Sequence, residues 1–290
     1  MTTTTNTRLF ILVTGAAGRI GSYFTKNANK QKYKLRLMVH PSNPPEEVES
    51  LKSHGEVIEA ELEKVESLLK ACEGVHTVFH LAGQPSPNTR WDSLLKDNIE
   101  GTYNIFLAAK KSGVKRVIYA SSIHAISGYP IDTQVRTTDP VNPGDLYGVS
   151  KCFGEALGRY MGEQEGLSTI AIRIGSYQPY SIIKDESRSA AFMNSWLSQP
   201  DAVHLFERCI DAPLTLKFAI VHGLSRNTFN RMDINSTCEL LGYDPQDNFF
   251  QAQECFKPLN ITNRFPTFSL HDSQQKSGLR DKSPEQTKEN

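Results

Sequence analysis

The chain is short of paired cysteines, of charge imbalance and of long apolar runs, and each shortage removes a class of function. Its five cysteines, at positions 72, 152, 209, 238 and 255, are scattered and never stand as C-x-x-C. They read as incidental thiols in a reducing compartment, because a disulfide framework or redox motif needs paired spacing. The eight histidines show no metal-ligand spacing either, so no metal is expected. Lysine plus arginine and aspartate plus glutamate number 32 each. Such a balanced chain has no net field to draw in a nucleic acid or an anionic membrane surface. No apolar run approaches the ~20 residues that span a bilayer. The opening Met1-Thr2-Thr3-Thr4-Thr5-Asn6-Thr7-Arg8 lacks the apolar core of a signal peptide. Together these absences predict a soluble, cytoplasmic protein with 290 residues from which to build a large core.

What the sequence does contain begins with Leu9-Phe10-Ile11-Leu12-Val13, an unbroken apolar run that reads as a strand buried on both faces. Glycines follow at 15, 18 and 21, and a helix is expected from about residue 22 to 28. Gly15 allows a tight turn, Gly18 lets an anion approach the backbone, and Gly21 lets helix and strand pack closely. The start of the helix offers unpaired N–H groups and partial positive charge. Strand, spaced glycines and helix in this order predict a dinucleotide pyrophosphate site formed by Gly15, Ala17, Gly18, Arg19, Ile20 and Gly21.

A strand–helix alternation then runs down the chain. Strands are expected at 34–39, 56–59, 77–81, 116–121 and 169–173, with helices at 46–54, 62–72, 91–111 and 146–165 between them. That order predicts an α/β fold, a doubly wound parallel sheet of Rossmann type. Ligands on such sheets lie beyond the carboxyl ends of the strands. The expected organisation is a flexible start at 1–7, a NAD(P)-binding domain at 8–175 and a small substrate-binding region at 176–265. That region has a helix at 200–212 and a last strand at 216–221. A polar tail at 266–290 reads as disordered.

Two positions stand out chemically. Tyr147 and Lys151 are four apart, which puts phenol and ammonium on one helical face. A free tyrosine, with its pKa of about 10, is a poor base at neutral pH, and a nearby Lys⁺ shifts it in the useful direction. Ser122 ends the fifth strand, where a hydroxyl can hold a substrate oxygen while Tyr147 takes the proton.

With these residues in view, Gly15-x-x-Gly18-x-x-Gly21, His80-Leu81-Ala82-Gly83, Asn98, Ser121-Ser122 and Tyr147-x-x-x-Lys151 resemble an extended short-chain dehydrogenase/reductase of the NAD-dependent epimerase/dehydratase family. Within that family, Ser121-Ser122-Ile123-His124, residues 146–156, Arg173-Ile174-Gly175-Ser176 and Asn194-Ser195-Trp196-Leu197-Ser198 resemble uronate dehydrogenases. The resemblance implies Tyr147 as general base, Lys151 on the nicotinamide ribose, Ser122 on the reacting hydroxyl, and Asn98 supporting Lys151 through water. It also implies His124 and Ser176 in the sugar site and Glu61-Leu62 at the adenine. Leu81, Ala82, Gly83 and Ile174 would border the cofactor as well. Three positions depart from the pattern. Ile123 stands where uronate dehydrogenases carry asparagine. Ala190, Ala191 and Phe192 fill the region where they place a carboxylate-binding arginine, Arg188 being the nearest here. Val39 and His40 replace the acid expected at the end of the second strand.

The function implied is NAD(P)-dependent oxidation of an aldose or aldohexuronate at its anomeric carbon, giving a lactone. NAD is the expected cofactor and NADP the alternative. The expected partner is a sugar or sugar acid, and a homo-oligomer is left open. The competing readings are a sugar-nucleotide epimerase or dehydratase and a non-catalytic NAD(P) sensor.

Overall fold

Strand β1 (Leu9–Thr14) lies inside the sheet, with side chains entering a core on each face. Ile11 and Val13 point into one, Leu12 into the other, and all three are fully buried. The computed structural model describes residues 8–185 and 189–255. The segments 1–7 and 266–290 and Arg188 therefore lie outside the described residues.

From β1 the chain enters α1 (Arg19–Asn27), then β2 (Tyr33–Val39), α2 (Pro45–Leu51), β3 (Glu56–Glu59), α3 (Val65–Cys72) and β4 (Thr77–His80). Next come α4 (Trp91–Ser93), α5 (Gly101–Lys111), β5 (Arg116–Ser122), α6 (Leu146–Glu163) and β6 (Ser168–Ile174). The seven-stranded sheet has the order β3-β2-β1-β4-β5-β6-β9, with every neighbouring pair parallel and β9 at Phe218–Gly223. On one face, Phe24 of α1, Phe79 of β4 and Phe206 of the helix Gln199–Asp211 pack on one another, with ring centroids 4.8 to 6.0 Å apart. On the other, Leu68 of α3, Ile105 and Phe106 of α5 and Met161 of α6 close over Leu12, Val78 and Val117.

Three elements differ from the sequence expectation. The helix predicted at 91–111 contains a π-helical stretch, Leu94–Glu100, between α4 and α5. A helix at Asn235–Leu241, closed by Gly242 in the left-handed region, stands where only irregular chain was expected. The last strand falls two residues later than predicted and pairs with β6, while Gln199–Asp211 packs in the same core as β1. Residues 199–223 thus pack on and extend the sheet. A two-stranded ribbon, β7 (Ser176–Tyr177) with β8 (Trp196–Leu197), sits just past the end of β6.

Candidate active site

A cleft of about 800 Å³ opens beyond the carboxyl ends of the strands. At one end the glycine loop forms its floor. Gly15 has φ +65°, a conformation only glycine adopts freely, and a Cβ on Gly21 would meet the Gly15 carbonyl oxygen at 2.3 Å. Gly18 caps α1 with no side chain over the first turn. The backbone is left bare for a pyrophosphate, and the loop therefore fits a dinucleotide. Thr14 organises the opposite wall. Its hydroxyl oxygen accepts N–H bonds from Leu81 and Ala82, both at 3.1 Å. With both lone pairs engaged it donates to His80 Nδ1 at 2.9 Å, which leaves His80 protonated on Nε2 toward Thr102. Burial pushes the His80 imidazole down to about 3, so it stays neutral. Gly83, at φ +139°, bends this wall toward Asn98.

The other end of the cleft is set by β5 and α6. Asp145 caps α6, its Oδ1 accepting the Gly148 N–H at 2.7 Å, and so fixes the turn that presents Tyr147. Asp145 Oδ2 accepts the Nδ1–H of His124 at 2.6 Å, which turns the His124 ring edge-on to Tyr147 with centroids 5.3 Å apart. Ser122 receives the His124 backbone N–H at 3.2 Å, and its hydroxyl acts on the Tyr147 phenol from the same wall of the cleft. Lys151 is buried and donates to the Ala120 carbonyl at 2.9 Å, its Nζ 5.5 Å from the Tyr147 ring centroid. Burial lowers the Lys151 ammonium to about 8. Burial likewise raises the Tyr147 phenol above its ordinary value, opposed by the neighbouring Ser122 hydroxyl and reinforced by the Asp145 charge. The downward pull expected from Lys151 is not among these influences, its ammonium being directed at the Ala120 carbonyl.

Of the other residues singled out in the sequence, Gly15, Gly18, Arg19, Ile20, Gly21, His40, Leu62, Leu81, Ala82, Gly83, Ile174 and Ser176 line this cleft. Glu61 and Ala17 do not, and Glu61 is instead paired with Lys64 at 2.7 Å, its neighbours Leu62 and Glu63 facing the cleft. Asn98 is buried in the π-helical stretch, but its amide bonds to Ser150 Oγ at 3.0 Å and to the Gln84 backbone, not toward Lys151. The extra residue in that helical turn carries the side chain onto the Gly83–Gln84 wall. Ser176 is tied to Ser195 through hydroxyls 2.8 Å apart. Arg19 spans from the glycine loop to the Tyr177 carbonyl at 3.2 Å and Gln178 Oε1 at 2.8 Å. Thr14 and Asp145 are additions to the residues expected from the sequence. The signal for Asp145 is its place, one residue before the expected start of a helix, where a capping acid belongs.

Comparison with known proteins agrees with this geometry. A model of the NAD-dependent epimerase/dehydratase family matches residues 11–199. The chain belongs to that family. An NAD-dependent glucose-6-phosphate dehydrogenase of Haloferax volcanii is 37% identical over 252 residues, covering 82% of this chain and 93% of that protein. A uronate dehydrogenase of Pseudomonas putida is 34% identical over 249 residues, covering 86% and 87%. The crystal structure of glucuronic acid dehydrogenase from Chromohalobacter salexigens superimposes with a TM-score of 0.75 at 31% identity, covering 92% and 93% of the two chains.

Proposed function

We propose that the protein is an NAD(P)-dependent sugar dehydrogenase that oxidises the anomeric carbon of an aldose or aldohexuronate to a lactone. The observation that carries this reading is the convergence of Ser122, Tyr147, Lys151 and the His124–Asp145 pair at one end of a cleft whose other end is the glycine loop. Ser122 holds the reacting hydroxyl, and Tyr147 removes its proton. Lys151 binds the nicotinamide ribose and keeps positive charge beside the phenol. When bound, the oxidised cofactor supplies the hydride acceptor and a further positive charge that favours the phenolate. His124 has Nδ1–H committed to Asp145, so its Nε2 is left to accept a hydroxyl of the sugar. The relatives named above are dehydrogenases of a phosphorylated sugar and of sugar acids, which supports this substrate class.

A panel of glucuronate, galacturonate, glucose 6-phosphate, arabinose and glucose, read by the absorbance of reduced cofactor, tests the proposal. At least one should reduce NAD with release of a lactone. Interconversion of nucleotide sugars without net cofactor reduction would replace this reading with an epimerase.

A further inference from the structure

We propose that Glu155, Arg173 and the Ser121 hydroxyl form a positioning group that fixes the separation of Ser122 from Tyr147. The proposal rests on the assignment of those two residues to the reaction. Tyr147, Lys151 and Glu155 stand four apart on α6, and all three are buried. Two of the last residues of β5 are bonded to them. Lys151 Nζ donates to the Ala120 carbonyl and the Ser121 hydroxyl donates to Glu155 Oε1 at 2.6 Å, while Ser122, next along the strand, lines the same cleft as Tyr147.

Glu155 is itself held. Arg173 of β6 grips both carboxylate oxygens, Nε to Oε1 at 3.0 Å and Nη2 to Oε2 at 2.9 Å. Its backbone pairs in register with Ser121 on the neighbouring strand. The two side chains are 1% and 3% exposed. A buried ion pair gains little net stability, since desolvation offsets its attraction. What a two-pronged guanidinium–carboxylate pair does give is a fixed direction. Here that direction ends on the residue next to Ser122. The pair therefore holds strand end and helix at one distance, and reactions of this kind are steep in such distances, a misplacement of about 1 Å costing on the order of 100-fold.

Three variants of the full chain test this beside Y147F, using whichever panel sugar reduces NAD. S121A should lower kcat about tenfold while leaving KM for NAD within about twofold, and S121T should restore most of it. E155D, which keeps the charge but shortens the reach, should lower kcat further. The double variant S121A/E155D should be no slower than E155D alone, because both act through one link. Losses that multiply, a wild-type kcat in S121A, or a loss that S121T leaves unrepaired would overturn the proposal. If Y147F retains turnover, the assignment of the base fails instead. A crystal structure of S121A needs no substrate. The Ser122 and Tyr147 hydroxyls should move apart by more than about 0.5 Å, and unmoved atoms would refute the proposal.

Discussion

A buried phenol resists ionisation, and Tyr147 sits where burial, Asp145 and Ser122 act on it at once. If Tyr147 is the proton acceptor, Y147F should lose at least about 100-fold in kcat. Dinucleotide affinity, followed by fluorescence titration, should change little, because only the hydroxyl is deleted. Turnover above about a tenth of wild type would remove it from that role. The second residue-scale prediction concerns the end of β2. Val39 is buried, so an acid placed there would be desolvated, whereas His40 is exposed on the cleft. H40D should raise the preference for NAD over NADP by about tenfold or more, since a carboxylate accepts ribose hydroxyls and repels a 2′-phosphate. Equal Kd ratios in variant and parent would show that His40 does not face the adenosine ribose. Ser122, Tyr147 and Lys151 are legible in the sequence from their spacing taken with their places, the serine at the end of the fifth strand and the pair at the start of the helix that follows. Thr14 is not, because its importance lies in two backbone N–H groups 67 and 68 residues away. Asn98 is visible as a motif residue, but the contacts of its amide depend on an added residue in a helical turn, which no periodicity reveals.

At the scale of elements, the glycine loop makes the sharpest claim. G21A would drive a methyl into the Gly15 carbonyl, so α1 must move off β1. Cofactor affinity should fall at least tenfold, and the melting temperature should drop, both readable by a thermal shift titration with NAD. An unchanged affinity would mean that α1 does not need its close approach to bind. The parallel strands are legible because runs such as residues 9–13 and 117–120 are apolar without alternation, as burial on both faces demands. The helix Asn235–Leu241 is not. It buries only Thr237 and Leu241, too narrow a stripe to announce itself over seven residues.

Across the whole molecule, two buried histidines make stability depend on pH. Burial lowers His80 to about 3 and His222 to about 4. Their unfolded values lie near 6.5, so below that pH the unfolded chain binds protons that the fold refuses. The contribution of the two histidines should therefore be full above pH 7 and fall as the pH drops from about 6.5 toward 4. Between pH 7 and 5 the pair accounts for up to about 4 kcal/mol, at roughly 1.4 kcal/mol per unit. Lys151 adds no slope there, since it is already charged in both states below about 8. Urea unfolding across that range checks the sign, and H80Q should flatten the dependence by about half. A profile unaffected by H80Q would mean that His80 is already protonated in the fold.

The Arg19 bridge gives this cleft a sense of time. It joins the start of α1 to the segment after β6, on the flank along which the pyrophosphate would lie, while among the described residues no such bridge spans the sugar end beside His124 and Ser176. A dinucleotide has to part that bridge on arrival and again on departure, and a sugar does not. Catalysis would then run as a queue, with the cofactor first in and last out. In steady-state kinetics that queue appears as compulsory order: reduced cofactor competes with NAD alone, and the departing lactone competes with neither substrate.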